Sequence, residues 1–153
     1  MRRIFIYYSL SGNGDLIADY LKSKKIDIRK IKTSEELPKN FILRILTGGF
    51  LAGINHKGKL IDFNNNIEKY DEIIIGSPIW NGRLSCPINT VLDKLDLKNK
   101  NFMFILYSGS GKAPKTEKLL KKRYKETKII NLKEPKVNDF KEILNKEILW
   151  EKK

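Results

Sequence analysis

The chain has 153 residues, 41% of them hydrophobic, and its 31 Lys+Arg against 18 Asp+Glu give a formal net charge of +13. This length and apolar content predict one domain over residues 1–153. The single cysteine excludes an internal disulfide, and no apolar run approaches the ~18 residues of a membrane span, so we expect a cytoplasmic protein.

The positive charge would attract anions such as nucleic acid, acidic proteins and phosphorylated ligands. Most of the excess is lysine, dispersed through segments such as KSKK, KKRYK and the final EKK, and arginine is scarce. This pattern favours a solvated surface over a nucleic-acid interface, because base recognition relies on clustered arginines.

The first part of the chain alternates a short apolar run with a helical pattern. RIFIYY predicts a buried strand, and IDIRKIK predicts a half-buried second strand. The segment between them predicts a helix with one apolar face, formed by Leu16, Ile17, Tyr20 and Leu21. FILRILTGGFLAGI then predicts a second crossover helix, followed by a long loop. The lone histidine of the chain, His56, lies in this loop, and we assign it no role.

Three further strands follow. DEIIIGS and NFMFILYSGS predict fully buried strands, and TKIINL predicts a short last one. INTVLDKL and TEKLLKKRY predict helices between these strands. A closing helix is predicted over residues 137–150, with its apolar face formed by Val137, Phe140, Ile143, Leu144 and Leu149.

This order of elements predicts an α/β fold with a five-stranded parallel sheet of order 2-1-3-4-5 and helices on both faces, a three-layer sandwich. Ligands bind to such sheets outside the carboxyl ends of the strands, at the switch point between strands one and three. The loops after the three most apolar strands are therefore the candidate site.

The first of these loops, SLSGNG, is rich in hydrogen-bond donors. Ser9 and Ser11 supply hydroxyls, Asn13 an amide, and Gly12 and Gly14 let the backbone approach a ligand closely. A helix start also offers unpaired N–H groups, so this loop suits one phosphate. It matches neither the P-loop nor the G-x-G-x-x-G pattern, and a simple helix cap in a tight turn is an equal alternative.

The second loop, GSPIWNGRLSCPI, residues 76–88, contains an aromatic residue among turn residues. We expect Pro78 to end the strand and Trp80 to lie in a turn beside Asn81 and Gly82. The indole could then stack on a planar ligand, or pack back on the core. Cys86 follows at a predicted helix start, and we interpret it as a partly buried, inert thiol.

In the third loop, YSGSGKAP, Tyr107 ends the strand, and no side chain larger than serine follows it before the lysine. Ser108, Gly109, Ser110 and Gly111 allow its backbone to approach the edge of a flat ligand. A flexible connection is the alternative. Together the three loops fit a ligand with a phosphate at one end and a planar ring system at the other, which is the shape of flavin mononucleotide (FMN).

At these residues the sequence resembles the flavodoxins. SLSGNG matches their T/S-x-T/S-G-N-T/G pattern, and GSPIWNGRLSCPINTVL resembles the G-S-P-x-W-x-G…P-x-x-x-F-L segment of bacterial flavodoxin-like proteins. LYSGSG is similar to the third flavin-contacting loop. The resemblance covers the chain in order and implies a short-chain, flavodoxin-like fold that binds FMN non-covalently.

The resemblance also implies which residues contact FMN. The phosphate would be held by Ser9, Ser11, Gly12, Asn13 and Gly14. The isoalloxazine would be bordered by Ser77, Pro78, Ile79, Trp80, Asn81 and Gly82, with Trp80 on one face, and by Ser108, Gly109 and Gly111 at its pyrimidine edge. The Asn81–Gly82 peptide would be the one that turns over beside flavin N5 on reduction. No catalytic side chain and no metal ligand is expected.

Four functions follow as hypotheses. The first is low-potential electron transfer through bound FMN to redox partner proteins, which the positive charge suggests are acidic, although flavodoxins usually have acidic surfaces. The second is a small FMN-dependent NAD(P)H or quinone reductase, which a third loop without an aromatic would suit. A flavin-less binding module and a basic nucleic-acid-binding domain are the others. We expect a monomer or weak dimer.

Overall fold

The computed structural model describes residues 1–34 and 58–149. The strands are β1 (Arg3–Tyr7), β2 (Asp27–Lys30), β3 (Lys32–Thr33), β4 (Leu60–Ile61), β5 (Glu72–Trp80), β6 (Arg83–Leu84), β7 (Asn101–Ser108) and β8 (Lys128–Lys133). The helices are α1 (Asn13–Ser23), α2 (Cys86–Lys94), α3 (Pro114–Arg123) and α4 (Lys141–Leu144), which continues into a π-helical segment, Asn145–Leu149. The predicted second crossover helix and His56 lie outside the described residues.

The main sheet contains five parallel strands in the order β2-β1-β5-β7-β8. Counted along the chain, this is the predicted order 2-1-3-4-5. Strand β1 lies between β2 and β5, so that Phe5 pairs with Ile28 on one side and Ile74 on the other. The order reverses between β1 and β5, and the carboxyl ends of β1, β5 and β7 therefore meet at one edge.

The three layers follow from the alternation of side chains along the central strands. In β1, Ile4 and Ile6 enter the core under α2 and α3, whereas Phe5 and Tyr7 enter the core under α1 and α4. Both sets are almost fully buried. A strand covered on both faces must be apolar throughout, which is why these strands appear in the sequence as unbroken apolar runs. Among the described residues, no helix is long and apolar enough to cross a bilayer.

Two predicted apolar faces differ from the observed ones. In α1, Ile17 and Leu21 are buried as predicted, but Leu16 is 39% exposed and Ala18 is buried beside them. The helix presents a narrower face to the sheet than the apolar pattern indicated. The larger side chain of Leu16 lies at its margin.

The closing helix begins at Lys141 and not at residue 137. Val137 is 74% exposed, because the Glu134 carbonyl accepts the N–H groups of Val137 and Asn138 and closes a turn there. Ile143 is also exposed. The residues of this segment that reach the core are Phe140, Leu144 and Ile148, and the last of these was not predicted.

Pro78 does not end its strand as predicted. Strand β5 continues to Trp80, pairing with β7 as far as Pro78 and then antiparallel with β6. A proline fits an extended backbone and removes only one N–H donor. It is tolerated here because β5 leaves the parallel ladder at this position. The predicted loop before residue 68 likewise contains a short strand, β4, which pairs antiparallel with β3.

We predict that Gly76→Ala lowers the free energy of unfolding by about 2–3 kcal/mol, since an added methyl group overpacks the core. A Cβ atom at position 76 would lie 2.5 Å from Cζ of Phe5 and 2.9 Å from Cβ of Tyr7. Urea denaturation measures the loss. Gly109→Ala is the matched control, because its nearest neighbour, Oε1 of Glu134, is 3.5 Å away. Equal losses in both variants would contradict the prediction.

Candidate functional site

The three predicted loops meet at the carboxyl edge of β1, β5 and β7. The Tyr107 hydroxyl at the end of β7 donates to the Tyr8 carbonyl at the end of β1. The Tyr8 ring in turn meets Trp80 of β5 edge to face, with ring centroids 5.8 Å apart and planes at 86°. The first loop is therefore in direct contact with the strands that lead into the other two.

A hydrogen bond between residues three positions apart closes the first loop. The Oγ of Ser9 accepts the N–H of Gly12 at 3.2 Å, and Gly12 has a left-handed φ of 91°. The chain then enters α1 without a side-chain cap. The N–H groups of its first turn therefore remain available to an anion.

The third loop repeats the same geometry. The Oγ of Ser108 accepts the N–H of Gly111 at 3.0 Å, and Gly111 has a φ of 70°. Both loops thus place a serine three residues before a left-handed glycine, within the shared pattern S-x-S-G. These residues were predicted to line the site. The repeat of S-x-S-G was not predicted, although the sequence shows it directly.

Gly14 has a role that was not predicted. A Cβ atom at position 14 would lie 2.6 Å from the Tyr107 hydroxyl and 2.9 Å from Cδ2 of Tyr7. The residue is buried between α1 and the sheet. The absence of a side chain lets α1 approach the strands. Gly14 therefore affects the site through the packing of α1 on the sheet.

The second loop is a β-hairpin with a two-residue turn. Asn81 and Gly82 have φ values of 49° and 70°, as a type I′ turn requires. The Gly82 carbonyl accepts the hydroxyl of Thr116 at 2.7 Å, which ties the turn to α3. The Asn-Gly turn was correctly predicted, whereas the paired strand β6 after it was not.

Ser77 closes the base of this hairpin. Its hydroxyl donates to the Pro78 carbonyl at 2.8 Å and accepts the N–H of Ser85 at 3.1 Å. Both serines are fully buried. The Ser77 hydroxyl is therefore enclosed by the protein, and the predicted contact of Ser77 with a ligand stays a prediction that only its backbone could meet.

Trp80 lies at the end of β5 and not in the turn where it was predicted. Its indole is partly buried, and it packs with Ile79 against the core under α2 and α3. Trp80 is only partly buried, as is Pro78, and Asn81 is exposed. The residue thus packs on the core while part of it remains accessible at the end of β5.

A fourth loop, residues 134–138, was not predicted: residues 137 and 138 were assigned to the closing helix, and 134–136 to no element. The Glu134 N–H donates to the Ser108 carbonyl at 3.0 Å, and the Lys136 N–H donates to Oδ1 of Asn13 at 3.0 Å. This loop therefore joins the third loop to the first. Pro135, two residues after the last strand, was the available signal, since proline is typical of turns.

The ionisable groups behind the first loop form a closed network. The Tyr7 hydroxyl donates to Oδ1 of Asp15 at 2.8 Å, and the Lys30 ammonium lies 2.7 Å from the same oxygen. Burial, reinforced by Asp15, raises the pKa of Tyr7, and burial also raises the pKa of Tyr107. Burial opposes ionisation of Asp15, but hydrogen bonds from Lys30, Tyr7 and Ser9 lower its pKa overall.

This network makes the acidic residue in the first turn of α1 compatible with an anion. The Asp15 carboxylate contacts Lys30 and Tyr7, so its charge is compensated by a partly exposed ion pair. Uncapped N–H groups and the exposed Ser11 hydroxyl are left at the helix start. These donors suit a phosphate, and the partly exposed indole suits a planar ring. The described residues contain no His/Cys/Asp/Glu group able to hold a metal ion.

One protein family and several solved structures of the same fold resemble this chain. The family described as NADPH-dependent FMN reductase matches residues 9–139. No curated protein matches the chain. Among solved structures, a candidate flavoprotein from Bacteroides eggerthii has 22% identity and a TM-score of 0.68, covering 84% of each chain. The Lactobacillus acidophilus flavoprotein in complex with FMN has 23% identity and a TM-score of 0.64, covering 84% of this chain and 89% of that one.

We predict that Tyr7 makes stability fall at alkaline pH. Its pKa is raised in the folded state, so its contribution is complete below the ordinary value of 10.0 and is lost as pH rises above it. Urea midpoints measured from pH 8 to 11 should therefore fall more steeply for the wild type than for Tyr7→Phe, which has no proton to release.

The pH dependence that Asp15 gives to stability has the opposite direction, with the loss at acid pH. Its folded-state pKa is lowered, so its contribution is present above the ordinary value of 3.8 and is lost as pH falls below it. Asp15→Asn should flatten the acid limb of the same curve. Parallel curves for the wild type and either variant would contradict the assignment for that residue.

Proposed function

The chain belongs to the NADPH-dependent FMN reductase family, and from this premise we propose that it is an FMN-dependent oxidoreductase that oxidises NAD(P)H. The observation that carries the proposal is the family match over residues 9–139, which includes all four loops at the sheet edge. The chain is thus an FMN-binding flavoprotein of flavodoxin-like fold, and FMN is its cofactor, as the sequence predicted.

We assign the loops to the two ends of FMN. The phosphate would be bound by the Ser11 hydroxyl and the first-turn N–H groups of α1, with Gly12 giving close access. Ser9 and Asn13 would shape this loop, because both already make hydrogen bonds within the protein.

The ring system would lie between the hairpin and the third loop. Pro78, Ile79, Trp80, Asn81 and Gly82 would border it on one side, and Ser108, Gly109 and Gly111 would supply the backbone edge on the other. When bound, FMN supplies the redox chemistry, accepting a hydride from a nicotinamide and passing electrons to an acceptor. The protein contributes position and hydrogen bonds. The hydrogen bond from Thr116 ties the hairpin to α3. The peptide groups of the turn would therefore keep a constant position relative to the ring system.

The choice between reductase and carrier rests on the third loop and the charge. Residues 109–111 are Gly, Ser and Gly, so they place no aromatic ring over the site. An uncovered side admits a nicotinamide, and a net charge of +13 attracts its phosphates. Electron transfer to a partner protein, the first hypothesis from the sequence, remains the second candidate. The same charge favours an acidic partner, and a cytoplasmic location suits either function.

We predict that the purified protein is yellow, releases FMN on denaturation, and consumes NADPH or NADH when a quinone or free flavin is added as acceptor. Absorbance at 340 nm measures the consumption. A loaded protein that leaves both nicotinamides unoxidised would exclude the reductase and favour the carrier. A colourless protein that takes up no FMN would exclude both.

We predict that Trp80→Leu weakens FMN and riboflavin binding alike, by roughly 3- to 10-fold, because a ring contact does not depend on the phosphate. Fluorescence titration of the apoprotein measures both affinities. Tyr124→Leu is the matched control: this aromatic is also partly buried, but it packs against Phe102 near the opposite edge of the sheet, with ring centroids 5.1 Å apart. Unchanged affinity in Trp80→Leu would remove the indole from the site.

A further inference from the structure

We propose that Lys136 binds the phosphate of FMN and sets the preference of this protein for FMN over riboflavin, which has no phosphate. The inference rests on the proposed FMN site and adds a residue from the fourth loop, outside the three loops that the sequence indicated. It assigns a specific role to one lysine of a chain with a large excess of positive charge.

The position of the side chain is the first argument. A Cβ atom at position 12 would lie 3.0 Å from Cε and 3.2 Å from Nζ of Lys136. The lysine stem thus occupies the space that a side chain at Gly12 would fill. Its ammonium lies over the residue that leads into the uncapped N-terminus of α1, where the anion would bind.

The anchoring of the backbone is the second argument. The Lys136 N–H donates to Oδ1 of Asn13, the first residue of α1, although the two residues are 123 positions apart. Nδ2 of Asn13 lies 3.4 Å from the Ser11 hydroxyl, so the amide connects Lys136 to the loop. Pro135 before it is buried. The backbone is therefore held at the loop while the ammonium remains exposed to a ligand.

The charge of the loop is the third argument. The first loop supplies neutral donors only, namely backbone N–H groups and the Ser11 hydroxyl. The carboxylate of Asp15 is compensated by Lys30. A phosphate monoester carries about −1.5 to −2 charges at pH 7. Lys136 brings a full positive charge to the point where this negative charge would lie, and hydrogen bonds between charged groups are the stronger ones.

The test compares two ligands that differ only by the phosphate. Apoprotein is titrated with FMN and with riboflavin, and flavin fluorescence gives both dissociation constants. Lys136→Gln should weaken FMN binding roughly 5- to 20-fold, allowing for the exposure of the side chain, and change riboflavin binding by less than about 2-fold. Lys136→Arg should restore FMN binding. The wild type should also lose FMN affinity with added salt more steeply than Lys136→Gln.

Lys118→Gln is the matched control. Lys118 is exposed on α3 and its substitution removes the same charge from the chain. An equal loss of FMN affinity in this variant would overturn the proposal, since the cause would then be the overall field. Equal losses for FMN and riboflavin in Lys136→Gln would overturn it too, because they would indicate a structural role, as would unchanged binding of both.

The result also separates this inference from the proposed function. If the wild type binds FMN and Lys136→Gln is selectively weakened, Lys136 is a phosphate-binding residue whether or not NAD(P)H is oxidised. If the wild type oxidises NAD(P)H with bound FMN and Lys136→Gln binds FMN normally, the function stands and the inference fails. A wild type without FMN affinity overturns both.

Discussion

The close contact of Gly14 with two tyrosine side chains determines the height of α1 above the sheet. A Cβ atom at this position would overlap the Tyr107 hydroxyl and the Tyr7 ring. The same Tyr107 hydroxyl bonds to the Tyr8 carbonyl. Core packing therefore positions the first loop, because helix, strand and loop share these atoms. The donors of α1 face the strand edge only while this contact is kept.

The same hydrogen bond from a glycine N–H to a serine hydroxyl follows β1 and β7, but different structures come after it. After β1, the serine-to-glycine hydrogen bond leads directly into α1, so the N–H groups of a helix start are presented. After β7, the same bond is followed by a longer connection before α3 begins at Pro114. Residues 109–111 are bends, and two more residues separate them from the helix. One turn leads straight into the start of a helix and the other offers the backbone of a bent loop, which suits the two ends of an elongated cofactor.

The large positive charge divides into lysines with defined partners and lysines in solvent. The ammonium of Lys30 pairs with the Asp15 carboxylate, and the side chain of Lys136 lies next to Gly12. By contrast, Lys118 and Lys121 are exposed on α3. The dispersed pattern in the sequence predicts a solvated basic surface. It does not show which lysines have such neighbours, since composition carries no information on contacts.

The sequence by itself determined the five parallel strands, their order and the edge at which three loops meet. A strand buried on both faces must be apolar along its whole length, and the small residues after it mark the turn, so both signals are local. Only the tertiary structure decided that Ser77 is enclosed, that Gly14 is a packing residue, that Val137 is exposed and that a fourth loop reaches Asn13. These properties depend on contacts between residues far apart in the chain, and the pattern around any one of them is the same whether or not the contact forms.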